Sequence, residues 1–185
     1  MALVLLTGGA RSGKSRLAVE LARRQRRPVT VVVTAEEGDD EMAERIRRHR
    51  EERPPEWTTV EEPIDLQAAL SNAPPDDFVV VDCLTVWVAN LLGRELPDEE
   101  VDRRARKAAA IAAGRGAGVV AVTNEVGSAV VPDNPLGRRY RDVLGAVNTA
   151  WAAAADRVGL AVAGRLLALP AAESVWAEDG GWTPT

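Results

Sequence analysis

The chain is poor in several things that would each point to a function. It has one cysteine, Cys83, so an intrachain disulfide and a multi-cysteine metal cluster are both excluded, and the composition suits a reducing compartment. Positive charge is in deficit: 23 lysines and arginines face 28 acidic residues, for a formal net charge of -5. That balance argues against electrostatic capture of nucleic acid or of an anionic membrane surface. Aromatic residues make up only 4%, and no basic or aromatic patch suited to stacking single-stranded nucleic acid stands out. No apolar run approaches the ~20 residues of a membrane span. The short N-terminal apolar run has no basic flank and so fails as a signal peptide. The expectation is a cytoplasmic chain that neither inserts into a membrane nor binds nucleic acid. Lysine is scarce too, with only Lys14 and Lys107, and histidine occurs once, as His49. At 185 residues there is room for one domain with a substantial core, expected over residues 1–169, followed by a tail over 170–185.

One of the two lysines lies in the most informative stretch. The apolar run Leu3 to Leu6 leads into Gly8-Gly9-Ala10-Arg11-Ser12-Gly13-Lys14-Ser15, and the helical pattern Ser15 to Ala22 follows. Glycine, four residues, then Gly-Lys-Ser is the phosphate-loop spacing, in which glycines let successive backbone N–H groups turn inward around phosphate oxygens. In that pattern Lys14 reaches the β- and γ-phosphates and Ser15 holds Mg2+. The flanking strand and helix are the context the motif needs, so nucleotide-phosphate binding outweighs a mere tight turn.

Further apolar β-branched runs mark a sheet covered by helices on both faces. They fall at Val29 to Ala35, Phe78 to Asp82, Val119 to Thr123 and Val158 to Ala163, with Leu166 to Leu169 as a further candidate. Helices are expected between them: about Asp39 to Arg53, Ile64 to Ala73, Leu84 to Leu92, Asp98 to Gly114, and from Pro135, capped by Asn134, toward Asp156. Ligands of open α/β sheets collect beyond the carboxyl ends of the strands, which makes Thr34, Ala35 and Glu36 candidate site residues. Asp82, ending an apolar strand downstream of a phosphate loop, is the expected second Mg2+-anchoring position. Asn124-Glu125-Val126-Gly127 lacks the lysine and aspartate of a regulatory-GTPase guanine reader. Arg139 and Arg141 either contact a substrate phosphate or solvate a helix face. The tail after Leu169 is small and polar apart from Trp176 and Trp182, so if it orders it would do so by packing on another surface, such as a neighbouring subunit.

Met42, Ile46, His49 and Arg53 recur at spacings of four, three and four, hence on one helical face. A lone histidine at the edge of a buried stripe is ordinarily inert. Here Arg47, Arg48, Arg50 and Arg53 surround it, which suits an approaching polyphosphate and disfavours the imidazolium form of a ring whose ordinary pKa is about 6.5. Glu51 and Glu52 oppose that effect in part.

An ordered set of blocks resembles one family. The blocks are Gly8 to Ser15; Asp39 to Met42 with Arg45, Ile46 and His49; Arg53-Pro54 and Trp57-x-Thr59-x-Glu61; Val81 to Thr85 with Asn90 to Leu92; and Val122 to Gly127 with Val131-Pro132. This is similar to the bifunctional adenosylcobinamide kinase / adenosylcobinamide-phosphate guanylyltransferase of cobalamin biosynthesis, over roughly residues 3 to 165. The resemblance implies a three-layer, P-loop NTPase-like (RecA-like) α/β domain with a mostly parallel sheet, and a homo-oligomer. It implies ATP or GTP as phosphate donor to adenosylcobinamide, then GMP transfer from GTP through a guanylylated histidine, His49 here. Nucleotide contacts would fall on Gly8, Gly9, Ala10, Arg11, Ser12, Gly13, Lys14, Ser15, Val33, Thr34, Ala35, Arg50, Glu51, Glu52, Arg53, Glu61 and Asp82. Two other readings compete: a small-molecule kinase with a structural His49, and a nucleotide-gated RecA-like ATPase, against which the acidic charge counts.

Overall fold

The computed structural model describes residues 3–36, 53–128 and 130–178. In chain order these give β1 (Leu3–Gly8), α1 (Lys14–Arg23), β2 (Val29–Val33), β3 (Thr58–Glu61), α2 (Leu66–Asn72), β4 (Phe78–Asp82), α3 (Leu84–Gly93), α4 (Asp98–Ala113), β5 (Val119–Val122), α5 (Pro135–Ala154), β6 (Arg157–Val162), β7 (Arg165–Leu169) and α6 (Ala172–Glu178). The seven strands form one sheet in the order β3-β2-β4-β5-β1-β6-β7. Every pairing is parallel except β6 with β7, so the sheet is α/β and mostly parallel, as expected. Strand β5 separates β1, which leads into the phosphate loop, from β4, which ends in Asp82.

The continuous apolar runs are continuous because each strand feeds two cores in alternation. On one face Leu3, Leu5, Val32, Val79, Val81, Val119 and Ala121 meet α2, α3, α4 and α5, with Trp87 and Trp151 fully buried. On the other face Leu6, Val31, Val33, Val80, Val120 and Val122 meet Ala18 and Ala22 of α1. Ala105, Ala108, Ala109 and Ala112 form the buried stripe of α4. Their small side chains let this helix lie close to the neighbouring elements. Each fully buried leucine contributes about 1.5–3 kcal/mol of transfer free energy, and Leu3, Leu5, Leu66, Leu70, Leu84, Leu91 and Leu144 all qualify.

Local chemistry sets the ends. Asn134 Oδ1 accepts from Gly137 N at 2.7 Å and Pro135 occupies the first turn, the cap expected for α5. Asp65 caps α2 through Ala68 N at 3.0 Å.

Three features differ from expectation. Thr58–Glu61 is a strand at the sheet edge, where a short, half-polar segment with one partner gives little periodicity to read. Ala172–Glu178, expected to be unstructured unless it packs on another surface, forms a helix. The strand before Thr34 stops at Val33, and Thr34 and Ala35 lie just beyond it. The helix expected over 39–53 falls, up to residue 52, outside the described residues.

Candidate active site

Strand β1 delivers the chain to the carboxyl edge of the sheet and Gly8 turns it with φ 148°. A Cβ at Gly8 would stand 2.3 Å from the carbonyl oxygen of Ala161 in β6, so only glycine lets the loop leave the strand here. Arg11 (φ 56°) and Gly13 (φ 95°) are left-handed, and the chain enters α1 at Lys14. The far wall of the loop is the β6–β7 turn, where Ala163 (φ 49°) and Gly164 (φ 76°) have the two positive φ angles of a type I′ hairpin. Gly164 N donates to Ser12 O at 2.8 Å, and a Cβ on Gly13 would lie 3.2 Å from the Gly164 Cα.

Lys14 is buried, 7% exposed, and its Nζ donates to Gly8 O at 2.9 Å, Gly9 O at 2.7 Å and Ser12 Oγ at 3.4 Å. The ammonium is thus held inside the curve of the loop, at the N-terminal end of α1, where an anion is favoured by backbone N–H groups and the helix dipole.

Register aligns the other candidates. Glu61, Val33, Asp82, Val122 and Leu6 form one row across β3, β2, β4, β5 and β1. Ser15 Oγ donates to Asp82 Oδ1 at 3.5 Å across the sheet edge. Cis ligands of Mg2+ stand about 3 Å apart at its ~2.0–2.1 Å bond lengths, and the donor set, a hydroxyl and a carboxylate, is the hard oxygen chemistry that ion takes. Ser15 and Asp82 therefore could hold it. Arg53 Nη2 donates to Asp82 Oδ2 at 3.1 Å, with the two side chains 8% and 14% exposed.

Thr34 is fully buried, and its Oγ1 donates to Cys83 O at 2.6 Å and accepts from Cys83 N at 3.0 Å. Its hydroxyl joins the ends of β2 and β4. Ala35 is half-buried, and the exposed Glu36 pairs with Arg94 at 2.7 Å. His49, Arg50, Glu51 and Glu52 lie outside the described residues.

Several residues that the sequence offered only as members of a block or a helix support the site through specific partners. Asn90 Nδ2 donates to Thr34 O at 2.7 Å and Pro63 O at 3.2 Å, tying α3 to the ends of β2 and to the chain after β3. A lone amide in the apolar run Leu84 to Leu92 was the available signal. Asn148 on α5 accepts from Thr123 Oγ1 at 2.6 Å and donates to Asn124 O at 2.9 Å, while Asn124 N donates to Thr85 Oγ1 at 2.7 Å. This network fixes the segment whose Glu125 N donates to Gly8 O at 3.0 Å. Tyr140, which donates to Thr85 O at 3.2 Å, has its phenol pushed up to about 12, chiefly by burial and then by Cys83. Burial, then the neighbouring Asp82 carboxylate, push the Cys83 thiol up to about 11, so it is a neutral packing group at pH 7.

Residues 4–169 match the family described as Cobinamide kinase / cobinamide phosphate guanyltransferase. The chain belongs to this family. As a cobinamide kinase / cobinamide phosphate guanyltransferase family member it is a transferase. It is 44% identical over 162 residues, 86% of this chain and 92% of the relative, to the bifunctional adenosylcobalamin biosynthesis protein CobP of Pseudomonas aeruginosa. It is 43% identical over 175 residues, 88% of this chain and 96% of the relative, to the bifunctional adenosylcobalamin biosynthesis protein CobU of Salmonella typhimurium. Among solved structures, an ATPase from the type III secretion system of pathogenic bacteria superposes with a TM-score of 0.50 at 12% identity, over 96% of this chain and 61% of that ATPase. That likeness concerns the fold alone, which is the RecA-like P-loop arrangement.

Proposed function

We propose that the chain phosphorylates the aminopropanol hydroxyl of adenosylcobinamide from ATP or GTP, then transfers GMP from GTP through His49 to that phosphate, giving adenosylcobinamide-GDP. The observation that carries the reading is the meeting of Lys14, Ser15, Asp82 and Arg53 at one sheet edge, in a chain whose residues 4–169 match this family.

In the kinase step the substrate hydroxyl oxygen attacks the γ-phosphorus. Its bond to the β,γ-bridging oxygen breaks, the hydroxyl proton is lost to solvent, and the nucleoside diphosphate leaves. Gly8 to Ser15 receive the phosphates on backbone N–H groups, and the Lys14 ammonium turns from Gly8 O and Gly9 O to the β- and γ-oxygens. Mg2+, held through Ser15 and Asp82, would offset the charge gathering on those oxygens.

In the guanylyl step an unprotonated nitrogen of His49 attacks the α-phosphorus of GTP. An N–P bond forms as the bond to pyrophosphate breaks, and a phosphate oxygen of adenosylcobinamide phosphate then displaces His49. Arg50 and Arg53 offset the charge developing on the α-phosphate and the leaving pyrophosphate. The roles of His49, Arg50, Glu51 and Glu52 rest on the family resemblance. So do the nucleotide contacts of Val33, Thr34, Ala35 and Glu61; for Val33 and Glu61 the register row they share with Asp82 supports them.

Association into a homo-oligomer is part of this reading. It is supported by the apolar side chains that β6, β7 and α6 leave exposed: Val162 (59%), Leu166 (54%), Leu167 (60%) and Val175 (41%). So is a cytoplasmic location, in keeping with its nucleotide substrates; no helix among the described residues is long and apolar enough to cross a membrane.

The protein incubated with adenosylcobinamide, ATP, GTP and Mg2+ should yield adenosylcobinamide phosphate and then adenosylcobinamide-GDP by mass spectrometry. Lys14→Ala should yield neither. Formation of the phosphate without the GDP product would leave only the kinase half standing, and formation of neither by the wild type would overturn the proposal.

A further inference from the structure

Asp82 faces two described groups with different claims on it. Ser15 Oγ approaches Oδ1 from the start of α1, and the Arg53 guanidinium approaches Oδ2 from the chain just before β3. The carboxylate and the arginine are both largely withdrawn from solvent. A carboxylate so placed needs a cation close by to stay ionised. Arg53 supplies one at 3.1 Å. The same carboxylate is the anion that, in the function proposed above, receives a divalent cation together with the triphosphate. A guanidinium and a divalent cation crowded onto one carboxylate, at a site with little water to screen them, repel each other. The planar fork of arginine suits phosphate oxygens as well as it suits a carboxylate.

We propose that Arg53 is the exchangeable counter-ion of Asp82. It pairs with Oδ2 and keeps the carboxylate turned toward Ser15, and it yields Oδ2 when a divalent cation enters with the triphosphate. Its guanidinium then pairs with phosphate oxygens. The inference rests on the proposed nucleotide site, and it differs from a fixed brace in the sign of one effect. A brace that stays on Asp82 helps it hold metal, so removing it weakens metal binding. A competing counter-ion opposes the metal, so removing it tightens metal binding.

The test reads metal directly. Mn2+ is titrated into the protein saturated with α,β-methylene-GTP, and free Mn2+ is followed by electron paramagnetic resonance. Binding of a fluorescent GTP analogue in EDTA is measured alongside. Arg53→Met is expected to bind Mn2+ about fivefold or more tighter than wild type, while Arg53→Lys, which keeps the charge, stays within about twofold. Arg53→Met is also expected to melt lower than wild type in EDTA and to recover when Mn2+ is added. Arg53→Gln, without the charge but with a donor for Asp82, carries the comparison if Arg53→Met does not fold. Asp82→Asn is expected to lose the tight Mn2+ site. Mn2+ binding unchanged or weakened in the neutral variants, with the analogue still bound by wild type, would overturn this inference and leave the proposed function standing. Failure of wild type to bind the analogue would overturn both.

Discussion

Gly8→Ala tests how tightly the phosphate loop is built into the sheet behind it. The added Cβ would stand 2.3 Å from Ala161 O and 3.0 Å from Ser12 Oγ, at φ +148°. The Ser12 side chain can rotate aside. The Ala161 carbonyl cannot, because Ala161 is the register partner of Gly8 in the parallel β1–β6 ladder. Carbon and carbonyl oxygen come no closer than about 3.3 Å, so β6 must retreat by about 1 Å at the point where its turn contacts the loop. The unfavourable φ costs about 1–3 kcal/mol and the overpacking about 1–3 kcal/mol more. Together they take about 2–6 kcal/mol from a total stability of about 5–15 kcal/mol. In a chain of this size that lowers the melting temperature by about 5–20 °C. The control is adjacent: a Cβ on Gly9 would meet nothing within 4 Å, so Gly9→Ala should cost within about 0.5 kcal/mol. Circular dichroism melts of the two variants at one scan rate make the comparison. Equal melting of both would refute the reasoning.

Two further substitutions read separate parts of the molecule. Arg115 donates to four carbonyls, those of Leu70 (2.9 Å), Ala73 (3.1 Å), Pro74 (2.6 Å) and Asp77 (3.2 Å), and so closes the end of α2. Arg115→Ala should lose about 2–3 kcal/mol in urea unfolding with the slope unchanged, and a loss under about 0.5 kcal/mol would contradict that role. The Cys83 thiol, pushed up from 9.0 to about 11 in the folded chain, contributes stability that is whole below pH 9 and is lost as pH rises from 9 toward 11. At pH 8.5 the folded chain should carry about 75-fold less thiolate than the unfolded one, so iodoacetamide should modify it correspondingly more slowly; equal rates would contradict the burial argument.

The features legible in the sequence are those whose cause is local. Gly8 to Ser15 declares its strand, turn and helix within thirteen residues of chain beginning at Leu3, and Asp82 declares itself by ending an apolar run. Asn134-Pro135 carries its own cap. What stayed hidden depends on partners far along the chain. Thr58–Glu61 becomes a strand because β2 offers it an edge, with Glu61 opposite Val33. Gly164 matters because it touches Ser12, and nothing near it in sequence says so. Arg53 was legible as a cation near His49, and its pairing with Asp82, 29 residues on, comes from the fold. Asn90 stood in one of the resemblance blocks and Asn148 on an expected helix, but their partners stayed hidden, since each acts on main-chain atoms of another element. Ala172–Glu178 had composition against it and became a helix nonetheless, for which the described contacts offer no physical account.

The covalent role of His49 is the claim on which the bifunctional reading turns. Incubation with GTP labelled at the α-phosphate should leave label on the wild-type protein, in a bond stable to alkali and labile to acid as a phosphoramidate is, and none on His49→Ala. Label should leave the protein when adenosylcobinamide phosphate is added. An adduct undiminished in His49→Ala, or no adduct on a wild-type protein that forms adenosylcobinamide-GDP, would contradict the account.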